Sequence, residues 1–375
     1  MIDRRMALVG GVALAGLAAS RVAAADRGIA NLAYDRAIVI DGLGGFNDPY
    51  GPEDEKQIST RGAAELRQSG TTAVHFTVNE VGNEPGAWEK TVGNIAQLDQ
   101  LIADNADVLL RALSTGDFRA AKASNRLAVY YGVQDTSLVG TELDRLALLK
   151  GLGVRIVQLT YNLRNLSGDG SLEPANAGLS KLGHDTIARI EHEKLLLDLS
   201  HGGQRTIAEA LAAATRPPII SHTGCRALND NPRNVWDAEM RTCADKGGVI
   251  GIYWMPFLVP NSRPTGADVV AHMTHVRDIC GEDHVAIGTD GIIAKTVIDE
   301  KARATQRKFF QDRSKRGIAA PGEGSDIFNI VAEWDDAMRF RHLADGLSRA
   351  RWTTRQIEKA LGANLLRLYG DVWGT

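Results

Sequence analysis

The chain has 375 residues, of which 44% are hydrophobic and 24% charged, with a formal net charge of −3. It is long enough to bury a large core, and without a long run of like charge it offers neither a nucleic-acid surface nor a polybasic membrane anchor. Three cysteines, Cys225, Cys243 and Cys280, lack CxxC spacing, so they are expected as buried small side chains rather than a disulfide framework.

The first 25 residues have the pattern of an export signal. Arg4 and Arg5 form a twin-arginine n-region, residues 6–20 are apolar and rich in Gly and Ala, and Ala23, Ala24 and Ala25 offer a small-residue cleavage site. The stretch is short for a transmembrane helix. Export of a folded protein to the periplasm is therefore expected, leaving residues 26–375 as one soluble domain.

Beyond the signal, short β-branched apolar runs alternate with segments of helical period. Strands are predicted over residues 37–41, 72–78, 127–133, 154–159, 195–199, 218–221, 249–254 and 284–287. Their apolar runs are nearly continuous, as parallel strands buried on both faces require. Helices are predicted over residues 96–107, 142–152, 182–193, 206–214 and 267–279, and across 330–369 near the end. Residues 301–325 are polar and charged, and read as an excursion or lid. Eight βα units in series predict an α/β fold of the (β/α)8 TIM barrel type.

In such a barrel, chemistry sits where strands end. The fifth predicted strand runs into His201 and the sixth into His222, so two imidazoles converge above neighbouring staves. Neutral imidazole is a preferred zinc ligand. The eighth strand ends at Asp290, a carboxylate that can bind metal or shuttle a proton.

His, His and Asp at these strand ends resemble the amidohydrolase superfamily, and the surrounding sequence resembles its membrane (renal) dipeptidase family. The stretches that carry the resemblance are LLLDLSH at 195–201, PPIISHTGCRALNDNPRN at 217–234, GGVIGI at 247–252, HVAIGTDG at 284–291 and GANLLRL at 362–368. The resemblance implies a zinc-dependent hydrolase of dipeptides or related small amides, acting through a metal-activated water. It assigns His201 and His222 to one ion, Asp290 to the other, and Arg233 to the substrate carboxylate. It also implies a small-molecule or dipeptide partner and, as family members are commonly dimeric, a homodimer, while the charge pattern argues for no nucleic acid.

Several positions depart from the family pattern. Where the family has its first His-x-Asp, an ungapped alignment places Leu43 and Gly45, whereas a short insertion retains Asp48 but still lacks the histidine. The bridging glutamate falls at Gln134, beside Asp135, and the substrate-side histidine falls at Tyr161. The expectation is therefore one zinc rather than two, with Gln134, Asp48 or Asp290 as candidate further ligands. The alternative is an inactive or diverged binding protein on the same barrel. His75, on the second strand, is expected as a core residue, and residues 253–257 as a pocket wall or core.

Overall fold

The computed structural model describes residues 34–51 and 56–374, so the expected signal at 1–25 lies outside the described residues. The strands are β1 (Ile40–Asp41), β2 (Gly44–Gly45), β3 (Ala73–Thr77), β4 (Leu109–Arg111), β5 (Leu127–Val133), β6 (Val154–Gln158), β7 (Leu196–Asp198), β8 (Ile219–Thr223), β9 (Val249–Ile252), β10 (Val285–Ile287) and β11 (Gly291–Ile292). Eight of them form one parallel sheet in the order β1-β3-β5-β6-β7-β8-β9-β10. All eight expected strand segments are staves of this sheet. The unexpected β4 pairs with Leu127–Val129 at the start of β5, off the path of the eight staves.

The sheet closes on itself. Gly42 donates its N–H to Ile287 O at 2.9 Å, joining the first stave to the last, and β2 pairs in parallel with β11 just above that seam. The chain is thus a (β/α)8 barrel. Successive β5 residues point alternately to two packing layers: Leu127, Val129 and Tyr131 join the shell between barrel and helices, whereas Ala128 and Tyr130 face the interior.

The helices are α1 (Thr60–Ser69), α2 (Ala87–Asp104), α3 (Thr115–Ser124), α4 (Arg145–Gly151), α5 (Lys181–His192), α6 (Gln204–Ala213), α7 (Asp237–Asp245), α8 (Gly266–Cys280), α9 (Glu300–Lys315), α10 (Arg339–Arg349), α11 (Thr354–Glu358) and α12 (Asn364–Trp373). The helix expected at 96–107 begins earlier, because Ala87, Thr91 and Ile95 extend the buried stripe of α2. Three short or strongly polar helices, α1, α3 and α7, were not expected. The apolar face of α12 (Leu365, Leu368, Tyr369 and Val372) packs into the interior layer at the end of the barrel opposite the strand C-termini. There Tyr369 and Tyr130 share a hydroxyl hydrogen bond of 3.0 Å.

The expected excursion at 301–325 is α9 and its return loop. Asp299 caps the helix by accepting the Ala302 N–H, but α9 buries no side chain. Among the described residues, no helix is long and apolar enough to cross a membrane.

Candidate active site

Past the end of β7 the chain turns through Ser200 into His201, which takes a left-handed φ of 62°. His222 lies within β8, and the two rings meet with their Nε2 atoms 2.8 Å apart. Their other nitrogens reveal where the protons sit. Asn162 approaches the Ile318 carbonyl with Nδ2 at 2.7 Å, and since a carbonyl only accepts, Asn162 Oδ1 must face the other way. That oxygen lies 2.6 Å from His201 Nδ1, which therefore donates to it. On the second ring, His222 Nδ1 is 2.8 Å from Ser221 Oγ, whose own hydrogen goes to Asp198 Oδ2 at 2.5 Å. Each ring thus carries its proton on Nδ1, and two bare Nε2 lone pairs face each other. At that distance the lone pairs repel unless a proton or a cation sits between them. A proton is disfavoured, because burial first, and then the Arg233 guanidinium, hold both imidazoles well below the usual histidine range.

The support beneath the pair is complete. The buried Asp198 carboxylate accepts from Ser200 N (3.0 Å), Ser200 Oγ (2.8 Å) and Ser221 N (3.1 Å), as well as from Ser221 Oγ. This is the outer-shell arrangement that fixes the tautomer and orientation of ligating histidines.

Asp290 follows β10 with a left-handed φ of 54°, its backbone N–H held by Leu43 O at 2.8 Å. Backbone held in a sparsely populated region by its surroundings is typical of working sites. The carboxyl lines the same cavity as His201. Burial pushes its pKa up to about 6, against the downward pull of Arg233 and Arg313. Arg233 is 2% exposed, and its Nη2 has no hydrogen-bond partner among the described residues. The Tyr161 ring stacks on His201 with centroids 4.1 Å apart, and its hydroxyl accepts from Arg313 Nη1 at 2.8 Å.

Arg313 comes from α9. Glu323 grips its guanidinium at both ends, at 2.5 Å and 2.7 Å. With Met255, Phe257 and Phe309, these groups enclose a cavity of about 90 Å³. Arg313, Glu323 and Asn162 were not singled out from the sequence. For Arg313 and Glu323 the only signal was the polar character of 301–325, which named no residue.

The structure therefore brings His201, His222, Asp290, Arg233 and Tyr161 to one rim, but not the other two candidates. Asp48 is a turn carboxylate: it accepts from Ser59 N at 2.6 Å and Tyr50 N at 3.0 Å, and so serves the start of α1. Gln134 commits its amide nitrogen to Thr77 Oγ1 at 2.7 Å and does not line the cavity. Asp135 is used up on Gly82 N, Ser137 and Asn165. At the first-site positions Leu43 is 1% exposed, and Gly44 and Gly45 pair with β11. His75 is interior, stacked on Tyr130, with Nδ1 donating to Gly42 O at 2.8 Å. The imidazole occupies space that a Cβ at position 132 would fill, which is why glycine stands there. Of the expected wall, Met255 and Phe257 face the cavity, whereas Trp254 packs on Trp334 and Phe340. Among the described residues, no three His, Cys, Asp or Glu side chains are arranged to hold a metal ion.

With this geometry in place, comparison with known proteins identifies the family. The profile of the family described as membrane dipeptidase (peptidase family M19) matches residues 52–307. An uncharacterized protein from the pqqA 5' region of Klebsiella pneumoniae is 30% identical over 290 residues, covering 74% of this chain and 94% of its own length. The dipeptidase verJ of Clonostachys rogersoniana is 30% identical over 202 residues, covering 53% of this chain and 52% of its own. The crystal structure of an amidohydrolase from Pseudomonas aeruginosa superposes with a TM-score of 0.78 at 30% identity, covering 92% of this chain and 99% of the other. The chain belongs to the membrane dipeptidase family, M19.

Proposed function

We propose that this protein is a zinc-dependent hydrolase that cleaves dipeptides or a related small amide, using one ion rather than two. The observation that carries this reading is the pair of facing Nε2 lone pairs, 2.8 Å apart, on rings whose Nδ1 protons are both held from behind. His201 and His222 would hold the ion. When bound, zinc lowers the pKa of water and polarises a carbonyl. The remaining work falls to the chain's own groups. The buried Arg233 guanidinium, with Nη2 unpartnered, binds the substrate carboxylate. Asp290, pushed up to about 6, takes the proton of the attacking water and returns it to the leaving amine. The Tyr161 hydroxyl accepts from Arg313 and keeps its own hydrogen for the oxygen that gains charge. Phe309 and Arg313 keep water out from the α9 side. The twin-arginine reading of residues 1–25 places this activity in the periplasm.

A second reading, a binding protein without catalysis, is favoured by the filled first site, where Leu43 and the paired Gly44–Gly45 stand in place of ligands. Zinc analysis of the reconstituted protein beside His201→Ala and His222→Ala, with a dipeptide panel, separates the two. The hydrolase reading expects one zinc per chain and turnover, both lost in the variants. No zinc and no turnover in wild type would leave only the binding protein.

A further inference from the structure

The segment after β11 crosses the rim as α9 and returns through Ile318–Glu323. The helix itself buries no side chain, and apolar anchorage of the segment is confined to Ile318 and Ala320 in the return loop. The return loop is also tied to the barrel by two asparagine amides. Asn162 donates Nδ2–H to Ile318 O at 2.7 Å, and Asn231 donates Nδ2–H to Pro321 O at 2.7 Å. Each amide turns its oxygen to the site. Asn162 Oδ1 accepts from His201 Nδ1 at 2.6 Å, and Asn231 Oδ1 accepts from the Arg233 backbone N–H at 2.9 Å. Both side chains are buried, Asn162 completely.

We propose that Asn162 and Asn231 are positioning residues that make the geometry of His201 and Arg233 conditional on a docked Ile318–Pro321 loop. A backbone carbonyl only accepts, so the loop dictates which way each amide faces. With the loop in place, Asn162 offers its oxygen to His201, and the ring keeps its proton on Nδ1 and its lone pair on Nε2. With the loop displaced, the amide loses the acceptor that fixes Nδ2 and is held from behind only by the long Ser171 Oγ contact to Oδ1 at 3.4 Å, so it can reverse and deprive the ring of the acceptor that fixes its tautomer. On the other side, Asn231 holds the turn that carries Arg233. Arg313, from the same segment, adds its bond to the Tyr161 hydroxyl and so seats the ring stacked on His201. Enclosing the substrate and aligning the groups that act on it become one event. The inference rests on the hydrolase reading only for its kinetic consequence.

Two variants test it. Asn162→Gly tolerates the left-handed φ of 50° at this position and removes both bonds, whereas Asn231→Asp keeps the oxygen toward Arg233 and removes only the donor to the loop. Trypsin reports the loop through Arg313, Lys315 and Arg316. Losing one ordinary hydrogen bond should raise cleavage there by about tenfold in each folded variant. Ring 15N spectra should show His201 leaving its fixed Nδ1–H pattern in Asn162→Gly and keeping it in Asn231→Asp, and the dipeptide KM should rise more than kcat falls in Asn231→Asp. Unchanged cleavage in both variants, or a freed loop in Asn162→Gly with the His201 pattern intact, would overturn the proposal. If wild type turns over no dipeptide, the functional reading fails, while the cleavage and 15N results still decide this one.

Discussion

The two seams of the barrel rim are built on opposite plans. Between β7 and β8, two imidazoles stand over a carboxylate and two serines in which every hydroxyl and ring Nδ1 has a partner. Between β10 and β1, the corresponding space is closed by structure: Leu43 is buried, Gly44 and Gly45 pair with Gly291 and Ile292, and Phe46 sets its edge against Phe76 at 5.8 Å. One seam carries two imidazoles with their full support, and the other is given over to barrel closure, with Asp290 reaching the cavity from its rim. Once a polar constellation loses part of its set, the remainder is a buried liability. Filling the closed seam with leucine and backbone pairing removes that liability.

Asp290→Asn breaks the comparison most directly, because it asks whether the closed seam still takes part in chemistry. We expect kcat/KM to fall by about 10²–10⁴-fold, and a change within threefold would make that seam purely mechanical. Asp198→Asn probes the other seam through its support. Misorienting Ser221 and with it His222 should lower zinc affinity by about 10–100-fold, read by competition with a chelator. Unchanged affinity would mean that the carboxylate is only packing.

Leu43→His puts an imidazole where the family pattern has one, but here it enters a packed apolar space. It should lower unfolding free energy by about 1–3 kcal/mol in urea titration. An undiminished stability together with uptake of a second zinc would show that the seam is a dormant ligand site.

The smallest effect belongs to an imidazole outside both seams. His272 accepts the Cys225 N–H on Nδ1 at 2.9 Å and donates from Nε2 to Leu258 O at 3.0 Å, so it is held neutral. Burial lowers its pKa from 6.5 to about 4. The folded state therefore binds this proton less readily than the unfolded chain, and the associated stability is full above pH 6.5 and lost as pH falls toward 4. Between pH 7 and pH 6 the group accounts for a loss of about 0.7 kcal/mol. His272→Gln should remove that increment from the slope of stability against pH, and an unaltered slope would contradict the neutral assignment.

The staves were legible because strands buried on both faces leave unbroken apolar runs, whereas β4 has three residues and no room for a pattern. His201, His222 and Asp290 were legible because each sits at the end of such a run. Asp48 was misplaced because a carboxylate in a turn and a carboxylate in a pocket have the same local sequence; only the return of Ser59 to it distinguishes them. Asn162, Arg313 and Glu323 were invisible for a different reason. Their roles come from the meeting of parts of the chain 152 and 156 residues apart, as the α9 segment folds over the rim, and neither spacing nor composition encodes that meeting.

The α12 stopper has a bearing on how the molecule is made. The interior layer at the blind end, including Ile156, Leu196 and Ile219, is sealed by side chains from α12. During synthesis those staves wait uncovered until α12 has left the ribosome, a window in which chaperones would have their greatest effect on yield. A bulky fusion joined directly after Trp373 would crowd this stopper, so a tag there should depress recovery of folded material more than the same tag attached through a long spacer.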